Sequence, residues 1–383
     1  MVRASKVVFP ALLGLALSIS ALAGPPAQAA PLLTPAVVPA IAPPASPLQV
    51  DAGAKLTVNP VAYGGSVVAD FSKGQTVKKR PVMLQAQQPD GSWTNLLKRA
   101  AKMDAKGVVV FKVGIGTDTV YRALAGRYKK KKSEVVTPSR SSAWRADKAY
   151  NFEGTSLDAD WSPRNEGSFA AYGRNCAAPF ASNVAVSGGS VRLQLTRGNS
   201  ADIAAARAAG CATSKYKVYR NAMISTEGAY SLSSGIMAAK VQFPRTRGFH
   251  NGVWLRSTDS EIDMVEAYGY PKGRGVTHAW HGYAPERVIK EHKRIGNKSS
   301  KWWSQPHIYS VEWNSARVTY RIDGTITKSV GRGSAYRPPV NDSYFLVISS
   351  LTSEFDQRAH KVSTKELRST TTSVSWVKTW VTK

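Results

Sequence analysis

The sequence predicts an all-β protein: a small β-sandwich, then a larger sandwich or barrel. Three observations carry this. Short runs rich in β-branched and aromatic residues recur from Val50 onward, separated by Gly, Pro, Asn and Asp. Only "SADIAAARAAG", residues 200–210, reads as helix. And 383 residues exceed one ordinary domain and suit two.

Taken in order, the chain opens with Arg3 and Lys6 ahead of an apolar run over residues 7–23, followed by "GPPAQAAP". Ala27-Gln28-Ala29 fits a small-residue cleavage site, so residues 1–29 read as a secretory signal peptide. The run is short for a membrane span and contains Pro10. The expectation is a secreted, extracellular protein without stable membrane insertion. Residues 30–50 are a Pro/Ala-rich linker stiffened by proline. Residues 51–138 carry "KLTVNP", "SVVADF", "RPVMLQAQ" and "GVVVFKVGI" at sandwich spacing. In pattern this stretch resembles the immunoglobulin-like modules that accompany secreted bacterial enzymes. "RYKKKKSEVVTPSRSS" closes the module, and residues 139–148 read as a second linker.

Residues 149–383 form the larger part. "SVRLQLTR" alternates apolar and polar residues. "VTYRIDGTITKSV" is two alternating runs about Asp323-Gly324, a hairpin signal. "YFLVISSL" is a continuous apolar run that suits a buried strand. Cys176 and Cys211 are an even pair in an oxidising compartment and predict a disulfide. The formal net charge of +27 favours anionic surfaces, or is simply a solvated basic exterior. No DNA- or RNA-binding signature accompanies it, so nucleic acid is not an expected partner.

The chemistry concentrates in "SEIDMVE", residues 260–266. On a strand, Glu261 and Asp263 share a face. Glu266 lies an odd five residues beyond Glu261 and would point away. One β-bulge, at Met264 and Val265, restores the face and sets Ile262 in the core behind. Two carboxylates on one face can cleave a glycosidic bond: one attacks the anomeric carbon, the other protonates the leaving oxygen and then activates water. A third carboxylate between them separates their pKa values. An exposed acidic strand or a calcium site are the competing readings, though calcium favours a more flexible, oxygen-rich loop.

"EIDMVE" resembles the E-[IVL]-D-x-x-E signature of glycoside hydrolase family 16, in the bulged form of laminarinase-like members. "FEGTSLDADWSP", "SGGSVRLQLTR", "SSGIMAAKVQFPRTRGFHNGVWLRS", "HIYSVEWNSARVTYRIDGT" and "SVSWVKTW" are similar to further family segments, in the family's order, across 149–383. The resemblance implies a concanavalin-like β-jelly roll with a glycan cleft on its concave side. It implies Glu261 as nucleophile, Asp263 as its assistant and Glu266 as general acid/base. It places Trp254 and His278 in the cleft, as substrate-binding residues. His281 is a neighbour without that match.

Some positions depart from the family pattern. The "G-R-x-E" of the family is Gly235-Ile236-Met237-Ala238 here, losing an Arg and an acid, and "W-P-A-F-W" is Phe249-His250-Asn251-Gly252-Val253-Trp254. Ser375 stands where the family has an Asp that helps bind a structural calcium, which disfavours that ion. The resemblance thus implies a retaining endo-glycosidase of β-linked glucan that needs no cofactor, with β-1,3-glucan first among substrates; the expected state is a monomer, with a structural calcium disfavoured. The alternatives are a non-catalytic β-glycan-binding protein, or a transglycosylase or galactanase of the same fold.

Overall fold

The computed structural model describes residues 48–383, apart from 64, 75–78, 113–118, 127–133, 170–173, 175, 270–274, 285–286, 297–298, 332–341 and 354–356. Residues 280–284, 287–296, 300, 357 and 358 are described by backbone alone. The expected signal peptide, most of the first linker and the lysine run at 129–132 lie outside the described residues.

Two sheets build the first sandwich. Lys55–Asn59, Ser66–Asp70 and Val108–Lys112 form one. Pro81–Gln87 and Tyr121–Ala125 centre the other, whose edge pairs Gln49–Val50 in parallel with Val135–Val136. Each main strand buries alternate residues, as in Pro81–Gln87, where Val82, Leu84 and Ala86 point inward. With Leu56, Val67, Phe71 and Phe111 they close one apolar core between the sheets.

The larger sandwich stacks two sheets, eight-stranded and ten-stranded among the described residues, antiparallel except where Ala177–Pro179 runs parallel to Tyr219–Ser225. The eight-stranded sheet centres on Gly235–Gln242, flanked by Thr371–Thr382 and His307–Asn314. The ten-stranded sheet centres on Phe249–Arg256, between Tyr344–Thr352 and the acidic strand Ser260–Ala267. Met237, Ala239 and Val241 from one sheet meet Val253, Leu255, Ile262 and Ile348 from the other. Burying each such aliphatic side chain contributes about 1.5–3 kcal/mol. Tyr320 ties the layers, its hydroxyl donating to the Ala279 carbonyl at 2.9 Å.

The local expectations have visible causes. Asp323 and Gly324 both take positive φ, 50° and 79°, the geometry of a two-residue type I′ hairpin. The helix forms over Ser200–Ala208, started by a capping box in which Asn199 and Asp202 satisfy each other's backbone N–H groups. Cys176 and Cys211 are joined in a disulfide spanning 35 residues. Closing a loop of that length stabilises by about 4 kcal/mol in the chain-entropy treatment.

The second linker is shorter than expected. Trp144–Tyr150 is a strand paired antiparallel with Thr371–Thr382, with a register shift between Ala146 and Ala149. The two sandwiches also touch. Ala62 is buried against Ile236, Ala238 and Trp380 on the outer face of the eight-stranded sheet, and Ser310 Oγ donates to its carbonyl at 2.7 Å.

Candidate active site

The acidic strand is bulged where its spacing demands. Against Val276–Ala284, Asp263 faces Ala279 and Glu266 faces Thr277, so two residues oppose one between them. Against Phe249–Arg256, Glu261 pairs with Arg256, Val265 with Val253 and Glu266 with Gly252. Val253 and Leu255 enter the core, so residues 250, 252, 254 and 256 face the other way. Glu261, Asp263 and Glu266 share that second face, with Ile262, Met264 and Val265 buried behind.

The start of the strand is held by a hydroxyl–carboxylate knot. Ser257 and Ser260 both donate to Asp342 Oδ2, at 2.6 and 2.8 Å, and Ser260 Oγ lies 2.5 Å from the Tyr344 hydroxyl. This pins the 257–260 turn to the neighbouring strand and fixes where Glu261 begins. Arg256 Nη1 lies 3.4 Å from Glu261 Oε2, a loose ion pair.

Glu266 is buried and surrounded by donors. His250 Nε2 is 2.7 Å from Oε1, Tyr268 donates to Oε1 at 2.7 Å, and Thr277 donates to Oε2 at 2.9 Å. Burial alone would raise this carboxyl. The hydrogen bonds from His250, Tyr268 and Thr277 outweigh it and hold Glu266 well below the usual carboxylate range. Conversely, burial and the neighbouring Glu266 charge push the Tyr268 phenol far up, so it stays a donor.

His250 is oriented in turn. Arg174 Nη1 lies 2.7 Å from His250 Nδ1. A guanidinium can only donate, so Nδ1 accepts and the ring proton sits on Nε2, facing Glu266. Tyr268 stacks on the imidazole with ring centres 4.5 Å apart.

Trp254 reaches the acidic face, and its indole donates to Ser349 Oγ at 3.1 Å. His278 does not. It is 1% exposed and lies between the sheets, stacked 5.0 Å from Tyr320. The bulge is the reason: Thr277 takes the acidic face beside Glu266, which turns the next residue inward. His278 Nδ1 lies 2.5 Å from the Met264 carbonyl, and Thr327 Oγ1 lies 2.8 Å from Nε2. A bulge leaves a backbone group without a ladder partner, and His278 supplies one to Met264. Cleft-side placement of His278 is therefore corrected to a brace beneath the bulge.

His250, Tyr268 and Thr277 went unselected by sequence reasoning. Tyr268 is two residues beyond Glu266 and His250 four before Trp254, so the period of two was the available signal. Ser375 sits in a second bulge, between Val374 and Trp376 of the C-terminal strand. Among the described residues, no group of three or more His, Cys, Asp or Glu is placed to hold a metal ion.

Comparison with known proteins fits this arrangement. Residues 180–364, which include the whole acidic strand, match the family model described as "Glycosyl hydrolases family 16". Among solved structures, the chain is similar to the endo-β-1,3-glucanase from Pyrococcus furiosus: 15% identity, 63% of this chain and 96% of that one, TM-score 0.50. It is similar to the laminarinase from Rhodothermus marinus: 16% identity, 63% and 98% covered, TM-score 0.50. A third similar structure is SCLam, a non-specific endo-β-1,3(4)-glucanase: 15% identity, 63% and 92% covered, TM-score 0.50. At these identities the likeness is one of fold. No curated protein matches the chain.

Proposed function

We propose that the chain is a secreted, retaining endo-glycosidase that hydrolyses β-linked glucan, with β-1,3-glucan as its substrate. The observation that carries this reading is the bulge at Met264 and Val265, which sets Glu266 on the face of Glu261. Glu261 attacks the anomeric carbon and the glycosidic C–O bond breaks. Glu266 gives its proton to the departing sugar oxygen. Glu266 then takes a proton from water, whose oxygen displaces Glu261 from carbon, with net retention. Asp263, between the two, keeps Glu261 oriented. Trp254 offers an indole edge and face to the sugar. The chemistry requires no cofactor. In this reading the first sandwich is an immunoglobulin-like spacer held against the catalytic part.

One feature of the site favours a second reading. A general acid must start protonated, yet Glu266 meets three donors that hold it ionised. A β-glycan-binding protein without turnover would have that property. Reducing-end release from laminarin by wild type and by Glu261→Gln separates the two. The hydrolase reading expects release by wild type only. Equal release by both removes Glu261 from the nucleophile role. Absence of release by wild type from laminarin, mixed-linkage glucan and agar, with laminarin still bound, supports the binding protein.

A further inference from the structure

The outer face of the eight-stranded sheet carries a concavity that the acidic strand does not share. In Val191–Gln194, Val191 and Leu193 enter the core, so Arg192 and Gln194 face outward. Backbone pairing sets Arg192 opposite Ser373, and Ser373 opposite Gln242. The three thus form a row across adjacent strands. Arg245 and Arg368 complete the wall, around a cavity of about 760 Å³. That lies within the range of about 300–1,000 Å³ typical of ligand sites.

The chemistry of the lining is one-sided. It holds three guanidinium groups and no carboxylate. Arg192 and Arg368 are exposed, and their guanidinium groups make no hydrogen bond or ion pair with the described residues. Three cations sharing one concavity repel each other, and an anion relieves that. The guanidinium fork matches the two oxygens of a carboxylate or sulfate group. Between the arginines the floor is hydroxyl and amide, which suits sugar hydroxyls. A free phosphate would use one fork and leave the polar row idle. Nucleic acid would want exposed rings for base stacking, whereas the lining aromatics, Phe243 and Trp303, are buried.

We propose that this cavity binds an acidic glycan, a polysaccharide segment bearing carboxylate or sulfate groups, on the opposite face of the sandwich from Glu261 and Glu266. The site stands on its own residues and does not depend on the hydrolytic reading.

The test is calorimetric titration of the full chain with two probes, an oligogalacturonate and a sulfated oligosaccharide of equal length. Wild type binds at least one, and the tighter probe names the acid. Arg192→Ala/Arg368→Ala weakens that binding about tenfold or more, as loss of two charge-assisted contacts requires. Lys98→Ala/Arg99→Ala, an exposed pair in the first sandwich, removes the same charge and leaves binding unchanged. Hydrolysis of neutral laminarin is the same in all three proteins, so the two functions are read separately. Equal weakening by both double variants assigns the effect to overall charge and overturns the proposal. So does failure of wild type to bind either probe, or tighter binding of an oligonucleotide of equal charge. Equally effective competition by inorganic sulfate at the same concentration overturns it too.

Discussion

His250 gives its Nε2 proton to Glu266 Oε1 across 2.7 Å, and it can do so only because Arg174 occupies its other nitrogen. A neutral imidazole has one proton to give. The guanidinium decides which nitrogen keeps it, and thereby holds Glu266 as an anion in a buried site.

The pH dependence of turnover follows. The acid step needs protonated Glu266, and kcat/KM reports the free enzyme. Because the three donors lower the Glu266 carboxyl, activity should be highest in acid and fall as pH rises. His250→Ala removes one donor from the charged form, so the carboxyl rises and the basic limb moves to higher pH. A shift of about one pH unit corresponds to the loss of one such contact. The measurement is a kcat/KM–pH profile on laminarin for both proteins. A basic limb that stays in place, or moves to lower pH, contradicts the assignment. A purely structural role for His250 would lower activity without moving the limb.

The bulge makes a separate prediction. Deleting Val265 makes the offset from Glu261 to Glu266 an even four, so a regular strand keeps all three acids on one face with no bulge. That variant should keep its activity, whereas Glu266→Gln, which removes the general acid, lowers the rate by about 10²–10⁴-fold. His278→Phe keeps the ring between the sheets but leaves the Met264 carbonyl without its donor. It should cost about 1–3 kcal/mol of stability, with the larger share of any activity loss in kcat. A loss in the deletion variant as large as that in Glu266→Gln would show that the bulge does more than set the face of Glu266.

Asp202 links the helix to the sheet and gives stability a pH signature. Its carboxylate closes the capping box and receives Arg220 Nε at 2.6 Å and Nη2 at 3.1 Å. Burial pushes the carboxyl up, but Arg220 and the Asn199 backbone N–H outweigh it and leave it lowered. A group lowered in the folded state adds stability that is complete above its unfolded pKa and is lost as pH falls through its folded value. Asp202→Asn should therefore cost about 1–3 kcal/mol at neutral pH. The gap to wild type should narrow below about pH 4. Urea denaturation at both pH values decides it, and a gap independent of pH rejects the ion-pair account.

What sequence could disclose was set by period and offset. The odd five residues from Glu261 to Glu266 demanded a bulge, and Asp323-Gly324 demanded a hairpin. Both are backbone arithmetic confined to a few residues. His278 was misplaced because the same bulge was not carried across to the neighbouring strand, where Thr277 opposes Glu266. Arg174 was beyond reach: it meets His250 across 76 residues of chain, which no local pattern encodes. Cross-strand rows such as Arg192–Ser373–Gln242 are invisible for the same reason, since they depend on register between distant segments. The contact between the sandwiches was hidden by a linker reading drawn from composition alone.

That contact is open to a direct test. Tyr63 donates to Glu312 Oε2, and the Arg321 guanidinium lies 3.8 Å over its ring while reaching Glu312 at 3.1 Å. Beside them Ala62 is fully buried against Ile236, Ala238 and Trp380. Burial and the adjoining Glu312 drive the Tyr63 phenol far up, which keeps it a donor at any physiological pH. Ala62→Glu would place a carboxylate among apolar side chains without a partner, at a cost of about 3–5 kcal/mol. The docked pair should unfold as one unit in wild type, because each sandwich buries surface of the other. In Ala62→Glu the calorimetric trace should divide into two transitions, with cleavage by protease between residues 137 and 143. A single transition at the wild-type temperature would show that the seam does not couple the two sandwiches.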